Sequence, residues 1–387
     1  MSLTIKKSEL YTKCYYILWA IFCISFFVLQ QSEINYMYNV TNLYQNISII
    51  VGCSLYLLFL AFGNFKPKQL IVYACVTVIV IVSIYILNDK YIFVALGFIL
   101  LASKIDIEKF VKFDLKIKLF SLVLIISLCK LGVINNYTRE INGAFKQGLG
   151  FSHPNFLTAL VMIILIEWFY IRYHKLKLFD YIGIAICIVI IWNIAASRTS
   201  VLTFLVIYLM VIITKAFPNI FEINILKLII SILPIIGVVI SFTMVYLYGK
   251  GVPFALSINT VVTGRLKLAY NLLNKYGISL FGQFINVYGT RSVNYTSDSL
   301  FNVDMSYVLI PIRYGVCILA LLIIGYYFLS KFAINKKNNM FVLAIIYFVV
   351  LGLAESYFYR IQYNFTMVFL LAYVGEKIRK KYKKLKV

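Results

Sequence analysis

The chain is a succession of apolar runs, most of them long enough to cross a bilayer, separated by short polar segments. A helix needs roughly 20 apolar residues for one crossing. Twelve runs are predicted as spans: 12–30, 43–62, 70–87, 91–103, 119–136, 154–171, 180–196, 199–214, 226–248, 304–329, 341–356 and 361–375. Composition agrees. Hydrophobic residues make up 62% of the 387 and charged residues 13%, against roughly half and about a quarter in soluble domains. A water-soluble fold could not hide that much apolar surface. The predicted fold class is therefore an all-α polytopic membrane protein, one membrane domain over 1–387. This excludes disordered chains, secreted disulfide scaffolds and cytosolic enzymes.

The formal net charge of +23 would suggest nucleic acid in a soluble protein. Here the basic residues fall in short clusters between apolar runs, which suits a membrane surface and no nucleic acid. With the N-terminus inside, every predicted inner segment is basic, including Lys6, Lys7 and Lys13, then Lys104, Lys109, Lys112, Lys116 and Lys118, then the lysine-rich tail. Both termini are then cytoplasmic. The outer side receives a loop at 137–153 and a large loop at 249–303. The first run has no small-residue cleavage site and is taken as a span. The seven cysteines all lie in apolar runs without a CxxC spacing and are expected to be small core residues.

Lysine does nearly all the inner-face work. Of only eight arginines, Arg139, Arg198, Arg265, Arg291 and Arg360 fall on the outer side, and Arg313 about two turns into the tenth span. A guanidinium fork fits phosphate oxygens bidentately. Several around one outer cavity would hold a di-anion such as pyrophosphate, whereas a single one could simply snorkel to headgroups.

Five short segments carry candidate chemistry. Gly150-Phe151-Ser152-His153-Pro154-Asn155 opens the sixth span. Ser152 is the expected cap, Pro154 suits a first helical turn, and the helix N-terminus favours an anion. His153 is either a capping-turn residue or a donor to phosphate or sugar. Ser197-Arg198-Thr199-Ser200 is a tight turn presenting Arg198. Thr263-Gly264-Arg265 precedes an apolar stripe, so 264–276 is expected as an amphipathic interfacial helix that sets Arg265 at headgroup depth. Asp304 and Tyr307, three apart, are expected on one helix face at the entry to the tenth span. Glu355 ends the eleventh, ahead of Arg360. A carboxylate at a membrane boundary suits a general base; the alternative for Asp304 and Glu355 is an ion pair with an arginine.

The order of these segments resembles the oligosaccharide repeat-unit polymerases (Wzy type) of bacterial capsule and exopolysaccharide pathways, in the O-antigen ligase-like superfamily. The resemblance spans about 130–375, closing with Val303-Asp304-Met305-Ser306-Tyr307 and Arg313-Tyr314-Gly315. It implies a membrane glycosyltransferase with no metal or other cofactor. Such an enzyme joins undecaprenyl-pyrophosphate-linked oligosaccharides on the outer face of the cytoplasmic membrane, with the flippase and chain-length regulator of the same pathway as candidate partners. Carried over, Arg139, Arg198 and Arg265 would bind pyrophosphate, His153 and Asn155 would face that cavity, and Asp304 would sit near the sugar. Ligases of the superfamily tend to carry a histidine in the large outer loop near this position, and this loop has none, which favours polymerase over ligase.

The rival readings are a lipid-linked oligosaccharide flippase, a glycan ligase and a non-catalytic assembly protein. A transporter should show ionisable groups near the midplane and broken helices in corresponding halves. In the sequence the ionisable residues cluster at outer span ends.

Overall fold

The computed structural model describes residues 2–62, 89–141, 144–195, 197–287, 291 and 303–372, with scattered positions between 74 and 87. Eight residues of the third expected span (70–73, 75, 80, 83 and 84), most of the stretch 288–302 and the basic tail lie outside the described residues. Among the described residues, six helices are long and apolar enough to cross a membrane: Glu9–Gln30, Thr41–Phe62, Pro154–Lys175, Arg198–Ala216, Asn224–Gly249 and Val316–Asn335. Three shorter apolar helices cover Tyr91–Lys104, Leu178–Ile194 and Asn339–Leu351. The chain is a multi-pass, essentially all-helical membrane protein.

The chain divides into two compact units, 1–64 with 94–216 and 362–387, and 65–93 with 217–361. In the first, the Ser2–Ser25 helix packs on Thr41–Phe62 and on Ile107–Lys130, which in turn packs on Pro154–Arg172. The Pro154–Arg172 helix also contacts Arg198–Ala216. Aromatic side chains fill the centre: Trp19, Tyr15, Phe98 and Phe110 meet edge to face, with ring centroids 4.9–6.2 Å apart. In the second unit Asn224–Gly249 is the hub, touching Arg265–Tyr276, Ser306–Leu309, Val316–Asn335 and Asn339–Leu351.

Several expectations need correction. The fifth span is a helix over Ile107–Lys130, with Asp106 as its cap. It starts inside the lysine segment, and 131–136 leave it as turn and loop. Lys118 is therefore no loop residue: it is wholly buried, ion-paired to Asp114 and Glu167. Ionisable groups thus do occur among the spanning helices. The tenth span is broken. A short helix Ser306–Leu309 runs into a wide π turn, Ile310–Tyr314, and only after Gly315 does a full-length helix, Val316–Asn335, begin. The twelfth is irregular in its described part, with one short helix, Phe365–Val368, although every residue from Ile361 to Leu370 is buried. The loop at 137–153, expected on the outer side, holds a two-stranded hairpin, Thr138–Ile141 against Ala144–Gln147, where only helices and loop were expected. Of the six described cysteines, all free, only Cys23 is buried, and Cys53 and Cys187 are exposed on the apolar surface.

Candidate functional site

The 150–155 motif is held in the first unit by backbone. Ser152 N–H donates to Gln31 O at 3.0 Å and Glu33 N–H to Gly150 O at 2.9 Å. Gly150 has φ +89, and a Cβ there would lie 2.8 Å from Ile125 O, so the turn that aims the motif requires glycine. The cap of Pro154–Arg172 is His153, not Ser152. Asn155 N–H donates to His153 Nδ1 at 3.1 Å, while Ser152 Oγ donates to Gln31 O. His153 Nε2 faces Arg139 Nη1 at 3.1 Å. The direction of this Arg139–His153 hydrogen bond follows from which ring nitrogen carries the proton, and the contact ties the hairpin side chain to the helix entry. Arg139 is exposed; His153 and Asn155 are half-buried. Arg198, also of the first unit, is the exposed first residue of its helix. The Ser197 hydroxyl behind it bonds to Ser200 at 3.3 Å.

In the second unit, the Pro253–Val261 helix ends and Arg265–Tyr276 begins through Thr263 (φ 56) and Gly264 (φ 83). Gly264 N–H closes on Asn259 O at 2.8 Å. The amphipathic helix stands where the periodicity placed it, but Arg265 lies on its buried face with Leu266, Ala269 and Leu272. Its Nη2 is 2.8 Å from Glu355 Oε1 and 3.9 Å from Asp304 Oδ2, and Nη1 donates to Ala354 O. Burial alone would disfavour its charge; the Glu355 and Asp304 carboxylates outweigh burial and raise its pKa above the ordinary arginine value. The side chain of Glu355 is 2% exposed, that of Asp304 39%. Ser306 Oγ donates to Glu355 O at 2.5 Å. Arg265, Asp304 and Glu355 thus form one node in which Glu355 fixes the guanidinium and Asp304 keeps an open face.

Tyr307 departs from expectation. Asp304 precedes the helix, whose cap is Met305, so the two do not share a helix face. Tyr307 is fully buried, its hydroxyl donates to Val349 O at 2.8 Å, and its ring stacks near Phe358. It is a packing residue. Arg360 is half-buried with its guanidinium 5.9 Å from the Tyr359 ring centre. Arg291 is half-buried, in a stretch otherwise outside the described residues.

A feature not singled out from sequence is the Asp89 node. Arg313 Nη2 and the Tyr314 hydroxyl both reach Asp89 Oδ2 at 3.1 Å, while Asp89 Oδ1 caps the next helix through Tyr91 N–H at 3.0 Å. The residues are 224 apart in sequence, so no local spacing announces them. No family model matches this chain, and no curated protein or solved structure does.

Proposed function

We propose that the chain is a polymerase of lipid-pyrophosphate-linked oligosaccharides, acting on the outer face of a bacterial cytoplasmic membrane. The donor is a glycan on one lipid pyrophosphate, and the acceptor is a sugar hydroxyl on the next lipid-linked repeat. The C–O bond from the anomeric carbon to pyrophosphate breaks, and the new glycosidic C–O bond forms. The hydroxyl proton goes to a base, and the electron pair leaves with the pyrophosphate. In this reading the twelve crossings comprise the six long helices, the three shorter apolar ones and Ile107–Lys130, with the irregular twelfth segment and the third run completing the set, and both termini lie inside.

The observation that carries the reading is the Arg265–Glu355–Asp304 node. Glu355 is engaged with a buried arginine, so it serves as a positioning residue, and Asp304, open to solvent and held beside a fixed cation, is the base. By the resemblance, the exposed Arg139 and Arg198 would bind the leaving pyrophosphate, with His153 beside them, and charge builds on that group in the transition state. Purified protein in liposomes with a synthetic lipid-pyrophosphate repeat unit, excess chelator and no nucleotide sugar tests this. A ladder of glycans that disappears with Asp304→Asn and Arg198→Ala is expected. Absence of any ladder with folded wild-type protein refutes the reading.

The flippase reading keeps one observation in its favour. Discontinuous helices, as at Ile310–Tyr314 and Gly315, are typical of the spans of transporters. In the same liposomes, substrate that becomes protected on the far side without a ladder would select it.

A further inference from the structure

Three helices of the first unit meet at a charged cluster that the proposed reaction does not use. Asp114 and Lys118 lie one turn apart on Ile107–Lys130, Glu167 on Pro154–Arg172 and Trp19 on Ser2–Ser25. Lys118 Nζ donates to Asp114 Oδ2 at 2.7 Å and to Glu167 Oε1. Trp19 Nε1–H donates to Asp114 Oδ1 at 2.9 Å. All three ionisable side chains are 0% exposed. Among the described residues, Tyr15 and Cys23 of the first helix are the other titratable groups that face the cluster, and Asp114 and Lys118 are the charged groups acting on Glu167.

Three features of this cluster are incomplete as drawn with full charges. One ammonium against two carboxylates leaves a net charge of minus one where each uncompensated ion costs several kcal/mol. Glu167 Oε2 is buried and receives no hydrogen bond among the described residues. Asp114 Oδ2 and Glu167 Oε1 both accept from the one Lys118 ammonium, which draws together two groups that are acceptors only when ionised. A single proton answers all three. It makes the cluster neutral, turns one carboxyl into a donor and gives the other oxygen something to accept.

We propose that Asp114, Lys118 and Glu167 form a proton-binding site, with one proton carried on Glu167 and shared with Asp114. Ionisable groups among spanning helices are costly and mark functional positions. Under the positive-inside orientation this one lies toward the inner ends of its helices, since Glu167 is near the end of Pro154–Arg172 and Asp114 near the start of Ile107–Lys130. Losing the proton would place a bare charge between three packed helices, so proton occupancy and the packing of this unit are coupled. The site does not depend on the reaction proposed above.

Infrared difference spectroscopy of the full-length protein in detergent at neutral pH tests it. The wild type is expected to show a protonated-carboxyl stretching band that is lost in Glu167→Gln and in Asp114→Asn. Either change leaves one ammonium and one carboxylate, neutral without a proton. Lys118→Met should enlarge the band, because the second carboxyl then takes a proton as well. Circular dichroism of each variant confirms that it has folded; where Lys118→Met does not fold, the two near-isosteric variants decide. Absence of the band in wild type, or a band that persists in either of those two variants, overturns the proposal.

Discussion

At the scale of single residues, the arginines expected on the outer side separate into two kinds. Arg265 is 7% exposed at its side chain and holds Glu355. Removing it strands a buried carboxylate, which typically costs about 3–5 kcal/mol. Arg265→Ala should therefore destabilise the protein by that order in thermal unfolding, and Glu355→Gln in the same chain should recover part of the loss. Arg198 stands exposed at a helix start. Arg198→Ala should leave stability within about 0.5 kcal/mol while lowering polymerisation about 10²-fold or more, the usual effect of losing a donor to the charge that develops in a transition state. A parallel loss of both for Arg198→Ala would mark it as structural. Asp304→Asn should likewise lose turnover and keep the fold, since its carboxylate is only 3.9 Å from a guanidinium already paired elsewhere.

At the scale of elements, the decisive feature is how the broken tenth span survives in an apolar surround. Irregular backbone inside a membrane must find its hydrogen bonds within the protein. The segment after Gly277 supplies them. Ser279 N–H donates to Pro311 O, Gln283 N–H to Arg313 O, and Ser279 O and Leu280 O accept from Val316 and Cys317 N–H, at 2.9–3.1 Å. Two glycines make this close approach possible. Gly282 (φ +104) would place a Cβ 2.7 Å from Arg313 O, and Gly315 (φ +94) one 2.5 Å from Gly282 N. Gly282→Ala and Gly315→Ala should each cost about 1–3 kcal/mol from strain at a left-handed residue, and more where the loop is displaced. Gly183→Ala is the control: nothing lies within 4 Å of its Cβ, and helix propensity predicts up to about 1 kcal/mol of gain. Denaturant midpoints of the three variants check the contrast. Gly237 marks a second close approach, since a Cβ there would stand 2.6 Å from the Tyr307 ring.

At the scale of the whole molecule, the apolar surface is the signature. Long helices such as Arg198–Ala216 and Asn224–Gly249 leave Leu, Ile and Val exposed along their outer faces, which only lipid would cover. The orientation proposed from lysine placement predicts a labelling pattern. In a cysteine-free chain, Thr138→Cys on the exposed hairpin should react with an impermeant maleimide on intact cells. Lys331→Cys, also exposed, should react only after lysis. The opposite pattern would reverse the topology and move the candidate site to the inner face.

What the sequence by itself determined is whatever composition and periodicity encode locally: the membrane class, the helical character, the entry of Pro154–Arg172 and the amphipathic helix after Gly264. Each depends on residues a few positions apart, which a one-dimensional pattern preserves. Tertiary structure alone decided where the charges go. Lys118 looks like one more inner-face lysine until Glu167, 49 residues on, is brought against it. Arg265 looks interfacial until Glu355, 90 residues on, turns it inward. Tyr307 looks available until Gly237 and Phe358 close around it. A charged or aromatic residue at the end of an apolar run reads the same whether it snorkels, pairs or packs. The difference is set by partners distant in sequence, and a buried charge is tolerated only where such a partner arrives.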